Sequence, residues 1–134
     1  MLDLWPILVD FGLVILTWLV QLVIYPGFEF YSSINLQKWH SIYTKRITII
    51  VLPLMFAQLI FHTLETVNDP NICNIVNEFL VISMWVITFI WAVPLHKQLD
   101  SKINLTKSIT QLNLVHTFRT IGWTIIFIIT LFTK

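Results

Sequence analysis

Imidazoles recur at His40, His96 and His116, each where a long apolar stretch begins or ends. Around them in sequence stand Glu29, two guanidiniums (Arg46 and Arg119), a phenol (Tyr43) and two indoles (Trp39 and Trp123). Such groups support three chemistries. Imidazoles change charge near neutral pH and serve as general acids or bases, with Tyr43 as a further proton-carrying group. Three imidazoles with a carboxylate can hold Zn, Cu or Fe. Two histidines from different helices can ligate haem, with arginines on its propionates. No H-x-x-H or E-x-x-H spacing occurs, so spacing alone does not choose among them.

Helical periodicity sharpens the set. At about 100° per residue, Asn113, His116, Arg119, Thr120 and Trp123 fall within one arc of about 120°. Leu114, Phe118, Ile121 and Ile125 fall on another face. This predicts an inward polar stripe on a lipid-compatible rod. Asp10, Thr17 and Gln21 share a narrow face of the first apolar stretch and read as hydrogen-bonding glue between helices. Trp39, Tyr43 and Arg46 align on one face, as do His40 and Gln58, five turns apart. His62 falls at the opposite end from the other histidines and reads as an interfacial residue. Arg119 and Arg46 would hold anionic oxygens, with Trp39, Asn113 and Trp123 lining the same pocket.

These residues must be positioned by helices that cross a bilayer. Of 134 residues, 57% are hydrophobic and only 11% charged, against about 25% charged in a soluble domain. Mean hydropathy is +0.81. Four stretches are long enough to span, at about 4–25, 41–62 (interrupted by Pro53), 75–95 and 112–132. The expected fold is an all-α four-helix transmembrane bundle in one domain, up-down in topology, with lipid as its principal partner. The segment "PGFEFYSSINLQKWH" is too polar to span and reads as a short amphipathic piece along the interface. No internal repeat stands out in the letters.

Charge sets the expected orientation. Lys38, Lys45, Arg46, Lys97, Lys102, Lys107 and Arg119 belong to one side and Lys134 alone to the other, out of eight basic residues. The positive-inside rule makes the 1–2 and 3–4 connections cytoplasmic and both termini non-cytoplasmic, as in a bacterial-type inner membrane. The first stretch has acids where a signal peptide has basic residues, and reads as a retained helix. Asn104-Leu105-Thr106 matches a glycosylation pattern, but on the cytoplasmic side. A net charge of +1 without a basic tract excludes nucleic acid as a partner. The single cysteine, Cys73, excludes an internal disulfide and reads as a small buried residue.

Four local patterns occur in order: "VIYPGF", "WHSIYTKR", "VPLHKQLD" and "NLVHTFRTIGW". Their order and spacing resemble the small four-helix membrane proteins of the DUF1772 type, which include the anthrone-oxygenase-like proteins. The matching positions are Pro26; Trp39, Tyr43 and a shifted Arg46; Pro94, His96 and Leu99; and His116 with Arg119. The resemblance implies a four-helix membrane fold and a site for a flat, oxygen-bearing aromatic substrate, oxidised without an obvious cofactor. The small haem-containing protoporphyrinogen-oxidase membrane proteins are a second likeness in size, helix count and histidine use. The leading expectation is a cytoplasmic-end site for a hydrophobic aromatic or quinone-like ligand, with oxidoreductase chemistry as its enzymatic form. Alternatives are a haem or metal protein using His40, His96 and His116, a homo-oligomer or non-catalytic subunit of a larger membrane complex, and a proton path through Asp10 and Gln21.

Overall fold

The computed structural model describes residues 4–101 and 105–133. Lys102, Asn104 and Lys134, which enter the charge and glycosylation expectations, lie outside the described residues. Four helical rods make up the fold: α1 (Leu4–Phe30), α2 (Ser33–Asn68), α3 (Ile72–Asp100) and α4 (Leu105–Thr133), each long and apolar enough to cross a membrane. No strand occurs among the described residues. The rods form a ring in which α1 packs on α2 and α4, and α3 packs on α2 and α4. Contacts such as Gln58 on Asp10 and Asn77 on Thr130 place the first turns of one rod beside the last turns of its neighbours.

The helices outrun their apolar segments because capping starts them early. The Ser32 hydroxyl accepts from the Asn35 N–H, and the Asn71 side chain accepts from the Asn74 N–H, each cap residue being extended. Residues 33–40, expected to lie along the interface, are therefore the opening turns of α2. The connection between the second and third spans, expected over 63–74, shrinks to 69–71. Pro53 sits inside α2 without ending it. Cys73, expected to be buried, is exposed in the first turn of α3.

One apolar cluster gathers Leu13, Met55, Val81, Met84, Trp123 and Ile126, and a second gathers Val20, Tyr25, Phe28, Tyr43, Leu99 and Leu112. Even the most enclosed rod buries only 39% of its apolar window. The outer faces carry large apolar side chains, including Leu22, Phe79 and Phe118 at 65%, 70% and 60% exposure. Such a surface is matched to lipid rather than water, and the chain is an integral membrane protein.

Two local distortions aim the functional side chains. In α1 the turn Val20–Ile24 is a π turn, closed by the Tyr25 N–H on the Val20 carbonyl. In α3 the turn Thr88–Ala92 is another, closed by the Val93 N–H on the Thr88 carbonyl. Pro26 and Pro94 follow two residues after these turns. A proline ring crowds the carbonyl four residues back, and a wider turn relieves that crowding. Each π turn inserts one extra residue, about 100° of rotation. Counted at an unbroken helical period, Tyr25 and His96 would swing off the inward faces defined by Asp10–Thr17 and Asn77–Met84. The insertion brings both back into the bundle.

The two halves of the chain repeat this design. A shift of 68 residues carries Leu4 onto Ile72, Val20–Ile24 onto Thr88–Ala92 and Pro26 onto Pro94. The same shift carries buried Val9, Leu13, His40, Met55, Gln58 and His62 onto buried Asn77, Val81, Ser108, Trp123, Ile126 and Thr130. The repeat is one of helix bounds, distortions and burial. The aligned residue types differ too much for it to show in the letters.

Candidate functional site

The end of the bundle formed by the last turns of α1 and α3 and the first turns of α2 and α4 holds the predicted histidines. His40 is fully buried and uses both ring nitrogens: Nδ1 lies 2.8 Å from Asp100 Oδ1, and Nε2 lies 2.9 Å from His96 Nδ1. The two imidazoles stack at 5.0 Å between centroids. His96 Nε2 lies 3.5 Å from the Tyr25 hydroxyl. The Tyr25 ring in turn packs at 4.8 Å on His116. The three histidines thus converge, with Tyr25 between His96 and His116.

A cavity of about 130 Å³ opens beside them. Its polar wall is Thr17, Tyr25, Tyr43, His96, His116 and Arg119; its apolar wall includes Val20, Val51, Leu52, Met55 and Val93. Thr48 of α2 and Phe89 of α3 also line it and are exposed on the outer surface. The mouth therefore faces the lipid side, between α2 and α3. A dry cavity of about 150 Å³ admits a benzene ring, so this one accommodates about one aromatic ring.

Arg119 is the unusual member. It is 7% exposed, its Nε has no hydrogen-bond partner, and no carboxylate pairs with it among the described residues. Its guanidinium lies 4.8 Å from the Trp123 ring centroid. Such a cation–π contact contributes about 2 kcal/mol when desolvated, less than the several kcal/mol that burying an ion costs. His116 is also incomplete. Its Nε2 lies 3.1 Å from the Thr17 carbonyl, which only accepts, so Nε2 carries the proton. Nδ1 is then a bare acceptor, buried and without a partner. The cavity is thus lined by a guanidinium with no counter-charge among the described residues, with the unpartnered His116 Nδ1 buried in the wall beside it.

Other predicted site residues lie elsewhere. Asn113 is half-buried and accepts from Gln21 Nε2 at 2.7 Å, tying α4 to α1 outside the cavity lining. Trp39, 37% exposed, touches the site only through its ring contact with Tyr43. Arg46, Lys45 and Glu29 are exposed and do not line the cavity: the inward face of α2 runs through Leu36, His40 and Tyr43, and position 46 has rotated past it. The metal reading of His40, His96 and His116 meets a chemical obstacle, since both His40 nitrogens are spent on Asp100 and His96. Among the described residues no group of three or more His, Cys, Asp or Glu side chains is placed to hold a metal ion.

Two participants escaped the sequence reading. Tyr25 lies within the first apolar stretch, and the π turn hides its inward direction. Asp100 stands one helical turn after His96, a carboxylate–imidazole spacing that was visible in "VPLHKQLD".

A second polar cluster lies at the opposite end. Fully buried Asp10 accepts from Gln58 Nε2 at 2.7 Å, Thr130 Oγ1 at 2.7 Å and His62 Nε2 at 3.1 Å. Trp123 Nε1 donates to Gln58 Oε1 at 3.0 Å, and Asn77 Nδ2 donates to Thr130 Oγ1 at 2.9 Å. His62 is thus no interfacial residue: it is 2% exposed and buried against Asp10, with Glu65 3.7 Å from its other nitrogen. Trp123 serves both ends, through its ring to Arg119 and its N–H to Gln58.

No protein-family profile, curated protein or solved structure matches the chain.

Proposed function

We propose that the cavity beside Arg119 binds a lipid-soluble aromatic compound bearing an acidic hydroxyl or quinone-type oxygen. One observation carries this reading: a buried guanidinium without a counter-charge opens on a ring-sized cavity. An anionic or strongly polarised oxygen would supply the missing charge, and a guanidinium presents several donors to it. The mouth between α2 and α3 gives a ligand dissolved in the bilayer a lateral route, leaving its remaining apolar part against Leu52 and Phe89.

The DUF1772-type resemblance points the same way, towards a flat, oxygen-bearing substrate and oxidoreductase chemistry. The basic residues near this end support a position for it on the cytoplasmic face of a bacterial-type inner membrane. Titration of the purified protein with 2-hydroxy-1,4-naphthoquinone tests the reading. Saturable binding is expected, with Arg119→Gln weakening it about tenfold or more. Arg46→Gln should change it less than about twofold, because Arg46 is exposed. Equal binding by the wild type and Arg119→Gln would overturn the proposal.

A further inference from the structure

The partners at the histidine end fix more than a pocket: they fix where each proton sits. An ionised carboxylate only accepts, so His40 Nδ1, 2.8 Å from Asp100 Oδ1, carries the hydrogen. With a neutral ring, His40 Nε2 is then a lone pair, and the hydrogen in its 2.9 Å contact belongs to His96 Nδ1. His96 Nε2 is left as a lone pair, facing Tyr25, which donates to it across 3.5 Å. Every donor points away from the cavity. Asp100, whose side chain is 40% exposed, forms the outer end, and Tyr25 with His96, both lining the cavity, forms the inner one.

We infer that Tyr25, His96, His40 and Asp100 form a proton relay that carries a proton from a hydroxyl bound in the cavity to the aqueous surface. The inference rests on the cavity reading above and adds the class of step performed there, ionisation of a phenolic or enolic hydroxyl. The balance is simple. The ligand O–H bond breaks and its proton joins the Tyr25 oxygen as the Tyr25 proton passes to His96 Nε2. The proton on His96 Nδ1 moves to His40 Nε2. The proton on His40 Nδ1 moves to Asp100 and then to water. Both imidazoles end neutral with their tautomers exchanged, and the ligand remains as an oxyanion facing Arg119. Tyr25 is the entry to the relay: its hydroxyl oxygen accepts from the ligand while its proton is donated to His96 Nε2. His116 cannot substitute as a relay, because its second nitrogen is tied to the Thr17 carbonyl and passes nothing on.

The resting tautomers can be read without any ligand. Nitrogen-15 spectra of the wild-type protein should show His40 and His96 both protonated at Nδ1 and bare at Nε2, with a through-hydrogen-bond coupling between His96 Nδ1 and His40 Nε2. Protonation at Nε2 in either ring would overturn the relay. The moving proton is followed with 4-nitrophenol, whose phenolate is coloured, and a pH indicator in stopped flow. The wild type should bind the probe as phenolate and release one proton per probe. Asp100→Asn should still bind phenolate but release the proton about tenfold more slowly or worse. Release at the wild-type rate in both Asp100→Asn and His40→Gln would sink the relay and leave the cavity reading intact. Equal phenolate binding by the wild type and Arg119→Gln would sink the cavity reading, and the relay's role with it.

Discussion

The two ends of the bundle bury polar groups in comparable numbers and use them in opposite ways. At the Asp10 end, one carboxylate takes hydrogen bonds from α2 and α4, and its donors are themselves held by Trp123 and Asn77, with only neutral or acceptor atoms such as Asn77 Oδ1 and Glu78 Oε2 left over beside them. At the Arg119 end, no carboxylate among the described residues pairs with the guanidinium, and Arg119 Nε and His116 Nδ1 have no hydrogen-bond partner there. Buried polar groups that satisfy one another specify how helices meet. Buried polar groups that do not are costly, and persist where a ligand completes them. The contrast separates the part of the sequence that builds the bundle from the part that equips it.

Removing either centre should therefore move stability in opposite directions. The largest effect belongs to Asp10→Ala. It leaves the Gln58, Thr130 and His62 donors without their acceptor and should cost about 3–5 kcal/mol, the range for breaking a buried ion pair, read from detergent-induced unfolding followed by helix content. Gln58→Leu breaks the link to Asp10 and strands the Trp123 N–H. It should cost about 1–2 kcal/mol in the same titration. Arg119→Met removes an uncompensated buried charge while keeping its apolar bulk. It should raise stability by about 1 kcal/mol, the trade-off expected where function needs a strained group, while naphthoquinone binding is lost. Trp18→Phe removes an exposed hydrogen bond to Thr124 that belongs to neither centre. It should change stability by less than about 0.6 kcal/mol, the mean for interhelical hydrogen bonds in membranes.

The sequence displayed the α4 side of this contrast clearly. His116, Arg119, Thr120 and Trp123 are buried, whereas Leu114, Phe118, Ile121 and Ile125 are 58%, 60%, 49% and 42% exposed, as an unbroken helical period requires. His40 and Gln58 likewise share the inward face of α2. The same arithmetic failed in α1 and α3, because each π turn adds a residue that no hydropathy pattern marks. That is why Tyr25 was missed and why His96 reaches the cavity from a position that simple counting turns outward. Pro26 and Pro94 were the available signal, each two residues beyond the widened turn. His62 was missed for another reason. It stands at the end of an apolar stretch, and only the antiparallel contact of α1 with α2 reveals Asp10 as its partner. The four spans themselves were legible from apolar length. Their extra turns were not, since those depend on caps at Ser32 and Asn71 within polar sequence.

The most direct test of this division is a paired unfolding titration of Asp10→Ala and Arg119→Met against the wild type, in one detergent and without ligand. The account predicts that Asp10→Ala unfolds far earlier than the wild type and that Arg119→Met unfolds later. An Arg119→Met protein destabilised as strongly as Asp10→Ala would show that Arg119 holds the bundle together, and would contradict its assignment as a group waiting for a ligand.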